Sequence, residues 1–338
     1  MPSEKSPAAP PLPPLPSSLV AFVDVLGFTE RVIAIRTQAQ LDAIDKDIEV
    51  VQGHFAADTD DATTLESHEI SKKEVLAFSD CIVLSTSLQS ELARREGTFD
   101  MLMGEILSLA LSQASCINDG VFVRGALEIG PWHRAKNRLV SPALAGAYQL
   151  ERQAVVPVIR LSDDVTRFFR WHTHRYFYSD DYDPVPSSFL IYKDSGTGLS
   201  FWFIDYMNIY INNLDWRDNQ NRHREYMAAA PNDRGDIMDV GYHNNVRRWL
   251  ALHRDRIVVG YKEAKDIRVK FKYRWLARYH NTIVHQYKPS LHVTRVLARE
   301  VPMPTDRFRI QHLPRRPKPT GDRLLDARRE QGKLAGTK

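Results

Sequence analysis

Apolar runs separated by polar punctuation set out the elements of the chain. Order begins at Leu19, where LVAFVDVLGF is almost continuously apolar with one acid inside it. Such a run predicts a strand buried on both faces and closed by Gly27. Between Glu30 and Phe55 there is no proline, and Val32, Ile33, Ile35, Leu41, Ile44, Ile48 and Val51 recur at helical spacing, so a helix is expected. Residues 57–73 are polar and acidic and are expected to form a loop. EVLAFSDCIVLST reads as two strands joined across a tight turn at Ser79 and Asp80. Residues 99–117 predict a helix stopped by Asn118-Asp119-Gly120, and VFVRGALEIG a strand with a glycine break. The segment from Ser141 starts a helix with Pro142 in its first turn. VVPVIRLS, FLIYKD and LSFWFIDY supply further strands, the last two joined through residues 194–198. The order β-α-β-β-α-β, followed by helix and more strand, predicts an α/β (α+β) fold with a ferredoxin-like core.

The C-terminal third has another rhythm. From Asn232 to Lys288 there is no proline, and Val246, Trp249, Leu250 and Ile257, then Phe271, Trp275, Leu276, Tyr279 and Ile283, fall at helical spacing. These aromatic-rich faces either cap the core of their own subunit or pack between subunits. Four segments are expected: a proline-rich leader over 1–18, an α/β domain over 19–215, a helical extension over 216–300 that serves dimerisation if its faces pack between subunits, and a basic flexible tail over 301–338.

Composition narrows the class. With 338 residues, 43% hydrophobic and 26% charged, the chain can build a substantial core without staples. Its two cysteines, Cys81 and Cys116, form no CxxC pair, which argues against a disulfide scaffold or a cysteine-rich zinc site. No run reaches the roughly 20 apolar residues of a membrane span, and the leader does not read as a secretory signal. A cytoplasmic protein without a membrane partner is expected. The net charge of +4 is concentrated in the tail, where Arg315 to Lys338 carries eight basic and three acidic residues. A nucleic-acid-binding domain more often carries its basic stripe within the fold, so no stable nucleic-acid partner is expected.

Two acids stand out. Asp24 lies inside an apolar strand, where a lone carboxylate costs several kcal/mol unless it is paired or binds a cation. Asp80 repeats the anomaly at the predicted hairpin tip. In a ferredoxin-like sheet the two converge, and a hard divalent cation that also binds phosphates, Mg²⁺ or Mn²⁺, would relieve their repulsion. The competing reading makes Asp24 a turn cap and Asp80 a turn residue.

The wording around the acids adds a resemblance. FVDVLGFTERV resembles the first metal-binding segment of class III nucleotidyl cyclases, Phe-x-Asp-Ile-x-Gly-Phe-Thr. FSDCIVLS is similar to the family's second metal aspartate at a hairpin tip, VRGALEIG to its Val-Arg-x-Gly strand, and SPALAGAYQLE to its Gly-Pro helix start. The segments run in the family's order over about residues 20–152. The resemblance implies a class III cyclase core and two metals held by Asp24, Asp80 and the Val25 carbonyl. It also implies amides near Gly27, Phe28 and Thr29 on the β- and γ-phosphates, and a homodimer with shared sites. Departures occur at Leu76 and Arg138, where adenylate cyclases read adenine, and at Ala145 and Gln149, where the family has its transition-state asparagine and arginine. The Pycsar pyrimidine cyclases of bacterial antiphage defence diverge at the base-reading positions, and they often carry a C-terminal helical region similar to KYRWLARYHN at Lys272 to Asn281. That resemblance implies UTP as substrate, cyclic UMP as product and a separately encoded effector. The alternatives are a cytidylate cyclase and a non-catalytic nucleotide sensor.

Other residues have two readings each. Arg124 either reaches phosphate or pairs with Glu128 two positions along the same strand face. Arg134, Lys136 and Arg138 either neutralise a triphosphate or contact a pyrimidine carbonyl, or else form a solvated loop. Tyr148 either replaces a missing active-site group or packs on the sheet. His172 and His174 lack the ligand cluster a zinc site needs, and Gly-Thr-Gly at 196–198 is a hairpin turn rather than a phosphate loop.

Overall fold

The structure is a computed structural model that describes residues 16–55, 62–136, 138–154, 156–287, 289–303 and 308–313. Most of the expected leader, and the tail from 314, lie outside the described residues. The chain runs through β1 (Ser17–Val25), α1 (Phe28–Ile33), α2 (Gln38–Phe55) and α3 (Ala62–Ser71) into the hairpin of β2 (Lys73–Phe78) and β3 (Cys81–Ser87). Then come α4 (Glu91–Glu96), α5 (Thr98–Asn118) and β4 (Val123–Pro131). A small ribbon of β5 (His133–Ala135) and β6 (Arg138–Val140) leads into α6 (Pro142–Gln153), β7 (Ile159–Leu161) and α7 (Asp163–Trp171). Beyond α8 (Pro184–Ser188) lie β8 (Phe189–Asp194), β9 (Ser200–Ile204) and α9 (Tyr206–Asn212). The last elements are α10 (Arg222–Ala228), α11 (Arg234–Glu263), α12 (Ile267–Val284) and β10 (Phe308–His312).

Eight strands form one mixed sheet in the order β10-β8-β9-β7-β4-β1-β3-β2. Its β4-β1-β3-β2 half, with α2 and α3 crossing from β1 to β2 and α5 from β3 to β4, is the predicted ferredoxin-like βαββαβ unit. Strand alternation divides β1 between two cores. Leu19, Ala21, Val23 and Val25 join the large cluster with α5, whereas Val20 and Phe22 meet Val83, Trp132, Ala143 and Ala147 on the α6 side. Local signals set the helix starts. Ser141 caps α6 by accepting from the Leu144 amide, with Pro142 in the first turn, and Ser162 caps α7 from the Val165 amide.

Several expectations are corrected. The helix expected from Glu30 is broken between α1 and α2. Part of the acidic segment expected as loop is helical, as α3. Residues 308–312, placed by the sequence in the basic tail, instead pair antiparallel with β8 as an edge strand; their apolar content is too low for pattern alone to reveal a strand. Among the described residues no helix is long and apolar enough to cross a membrane.

The aromatic faces of α11 and α12 are covered by their own chain. Trp249, Leu250, Trp275, Leu276 and Tyr279 belong to the same core cluster as β8 and β9, and the Tyr279 hydroxyl donates to the buried Asp205 carboxylate at 2.6 Å. A buried proton chain ties the two helices. His280 Nε2–H donates to the Thr294 carbonyl (2.8 Å), so its Nδ1 accepts from His253 Nδ1–H (3.0 Å), and His253 Nε2 accepts from the Tyr206 hydroxyl (2.8 Å). Both imidazoles are neutral: burial lowers His253 well below its ordinary value and His280 to about 4. The unfolded chain therefore takes up these protons first as pH falls, and the stability held above about 6.5 is lost towards 4. The stability advantage of the wild type over His280→Gln is expected to shrink by on the order of 3 kcal/mol between pH 6.5 and 4 in urea unfolding. A pH-independent difference would show that the pair is not buried neutral.

Candidate active site

Asp24 is the penultimate residue of β1, on the same strand face as Val20 and Phe22. Its neighbours follow from register: Asp24 stands opposite Cys81 on β3 and opposite Arg124 on β4. The turn between β2 and β3 consists of Ser79, at φ 55°, and Asp80, which brings the second acid to the same edge. One ligand atom each from Asp24, Asp80 and Cys81 lies within 4.8 Å of the others, and no other cluster of this kind occurs among the described residues.

Arg124 donates to Asp24 Oδ2 from Nη2 at 3.0 Å and from Nε at 3.3 Å, and its Nε also approaches Glu151 Oε1 on α6 at 2.5 Å. Glu128, the partner weighed from sequence, instead accepts from the Ser162 hydroxyl. Burial, reinforced by a hydrogen bond and repulsion from Asp80, pushes Asp24 up to about 7 against the opposing pull of Arg124. Burial and the two acids also push the Cys81 thiol up, so without a metal it stays protonated. Two carboxylates converging on a half-buried edge, with a protonated thiol beside them, fit a hard divalent cation of the Mg²⁺ or Mn²⁺ type.

A cleft of about 700 Å³ opens from this edge. Asp24, Val25, Gly27, Phe28, Thr29 and Glu30 line one side, so the structure brings together the metal-site and phosphate-site candidates read around the first acid. Gly27, at φ 75°, turns the chain from β1 into α1 in a conformation that a side chain would strain. The Phe28, Thr29 and Glu30 amides make no hydrogen bond with the described residues and remain available to a ligand. Arg124, Arg152, Arg268 and Lys272 also line the cleft. Reading the sequence for function missed Arg152, Arg268 and Lys272; the only available signal was the basic-aromatic segment that starts at Lys272.

The base-reading candidates lie elsewhere. Leu76 packs half-buried on the α6 side of the sheet with Phe22 and Val83. Arg138 is exposed on β6, and Arg134 on β5 pairs with Glu74 on β2 at 3.1 Å. Neither arginine lines the cleft. Tyr148 meets Phe22 edge-on at 5.4 Å with its ring partly exposed. His172 and His174 pack around Phe99, with His174 Nδ1 3.6 Å from Asp100, and at residues 194–198 the Asp194 side chain accepts from the Gly196 amide to close a hairpin turn.

No protein-family model matches the chain, and no curated protein does. Several solved structures overlay on part of it. A bacterial light-regulated adenylyl cyclase does so with TM-score 0.32 and 11% identity, over 57% of this chain and 92% of that one. A second chain described as a bacterial light-regulated adenylyl cyclase gives TM-score 0.29 and 12% identity, over 69% of this chain and 58% of that one. The guanylyl cyclase Cya2 gives TM-score 0.29 and 13% identity, over 56% of this chain and 90% of that one.

Proposed function

We propose that the chain is a metal-dependent nucleotidyl cyclase that converts UTP to 3′,5′-cyclic UMP and pyrophosphate, a second messenger read by a separately encoded effector in antiphage defence. The observation that carries the catalytic part is the convergence of Asp80 on Asp24, which itself lines a cleft large enough for a nucleotide. The pyrimidine and defence parts rest on the sequence resemblance together with Leu76 and Arg138. A divalent pair held by Asp24, Asp80 and the Val25 carbonyl would lower the pKa of the ribose 3′-hydroxyl and offset phosphate charge. The chain itself positions the groups. The amides of Phe28 and Thr29 take phosphate oxygens, and the cleft walls hold O3′ in line with the α-phosphorus. The O3′–Pα bond then forms as the bond to the bridging oxygen of pyrophosphate breaks, and the 3′-hydroxyl proton leaves to solvent. Leu76 and Arg138 stand outside the cleft of their own chain, so we assign them to the cleft of a second copy in a homodimer.

One observation favours a second reading, a non-catalytic nucleotide sensor: α6 carries Ala145 and Gln149 where class III cyclases place an asparagine and an arginine. Incubating the purified chain separately with each of the four NTPs and Mn²⁺, then identifying products by mass, decides between them. Cyclic UMP is the expected product. Nucleotide binding with no cyclic product from any of the four would establish the sensor.

A further inference from the structure

Lys272 sits on the face of α12 that enters the core. Trp275, Leu276 and Tyr279 follow it at i+3, i+4 and i+7, and all three are fully buried. The α12 face is therefore clamped, and its first turns project from the core into the cleft beside Asp24. The clamp extends to α11, where a Cβ on Gly260 would meet the Tyr273 ring at 2.3 Å, so the two helices approach there as closely as a glycine allows.

The cations lining the cleft are not equivalent. Arg124 is taken by Asp24 and Glu151. Arg268 is paired with Asp266 at 3.0 Å and is largely exposed. Arg152 lies over the Tyr148 ring at 5.8 Å. Lys272 is half-buried, and among the described residues no carboxylate lies within ion-pair distance of it. Together the lining residues carry four cationic and two acidic side chains, Asp24 and Glu30, and Glu151 and Asp266 stand against Arg124 and Arg268. An unpaired, confined ammonium in a partly desolvated cleft is a natural point of attachment for a polyanion. Burial and the Arg124 charge lower the Lys272 pKa against the opposing pull of Glu30, Glu151 and Asp24.

We propose that Lys272, flanked by Arg152 and Arg268, grips the polyphosphate of the substrate from within the same subunit, so that the start of α12 lines the cleft together with Gly27 to Glu30. The chemical class of ligand rests on the cyclase reading, but the cationic wall can be tested without catalysis. Inorganic tripolyphosphate is titrated into the full chain in metal-free buffer by calorimetry, with Lys272→Met, which keeps the apolar stem, Lys272→Gln as a second variant and Lys272→Arg as the conservative one. Tripolyphosphate binding is expected to weaken at least about tenfold in the Met and Gln variants and to stay within about threefold in the Arg variant. Uridine monophosphate affinity should change much less, and KM for the triphosphate should rise more than kcat falls. Wild-type failure to bind tripolyphosphate, or unchanged binding in both neutral variants, overturns the inference. If tripolyphosphate binding depends on Lys272 but no NTP is cyclised, the grip stands and the cyclase reading falls. If cyclic product forms while binding and KM ignore Lys272, the reverse holds.

Discussion

Asp24→Ala and Asp80→Ala are each expected to reduce cyclic nucleotide formation by about a thousandfold or more at saturating Mn²⁺, because each removes a carboxylate whose counterpart cannot hold the cation alone. Folding should survive. Asp24 is destabilising as a free carboxylate: burial and Asp80 raise it to about 7, so relieving that repulsion compensates for lost contacts. Arg124 is not orphaned either, since Glu151 still faces it. Melting temperatures measured in EDTA should therefore hold or rise in Asp24→Asn, which keeps an acceptor for Arg124, and change little in Asp80→Ala. A variant of either acid that retains near-native turnover would remove the metal assignment. A variant that unfolds would instead mean that the pair braces the β1–β3 edge.

The order of substrate preference is the second large effect expected. UTP should be used ahead of CTP, and both ahead of ATP and GTP, when all four compete in one tube. Uracil presents two carbonyl acceptors flanking one N–H, which suits a cationic donor, whereas the exocyclic amine of cytosine opposes one. Arg138 is the donor that remains available, being exposed and without an ion pair among the described residues, while Arg134 is held by Glu74. A half-buried Leu76 offers no hydrogen bond to a purine edge. Arg138→Ala should therefore lower kcat/KM for UTP by about a hundredfold and flatten discrimination against CTP. Cyclic AMP as the dominant product would sink the pyrimidine reading. Cyclic CMP would sink only the role given to Arg138.

Local signals account for what could be read from the chain itself. The apolar run at β1, the turn residues Ser79 and Asp80, the long apolar α5, and Ser141 with Pro142 at the start of α6 each impose their conformation on a few neighbouring residues, and each appears where the pattern puts it. Asp24 was conspicuous for the same reason: a charge inside a buried strand is anomalous whatever the tertiary fold. The segment at α3 misled because its composition is polar throughout, so no apolar stripe distinguishes helix from loop.

What lies around Asp24 was decided by pairing between distant parts of the chain. Cys81 is 57 positions from it and Arg124 is 100 positions away. Only the β4-β1-β3 order and its register bring all three to one edge. Sequence spacing suggested Glu128 for Arg124, because residues four apart on one strand share a face; the packing of α6 on the sheet supplied Glu151 instead. The edge strand β10 exists because β8 offers it unpaired backbone groups, a property of β8 rather than of residues 308–312. The α12 part of the cleft was equally out of reach. Helical periodicity predicts that α12 buries Trp275 and Tyr279, but where that burial sets Lys272 depends on the surface against which those aromatics pack, and that surface is assembled from β8, β9 and α9. Short-range sterics and side-chain pattern determine the elements one by one. The charges that meet across a cleft are determined by long-range packing, which a linear pattern does not encode residue by residue.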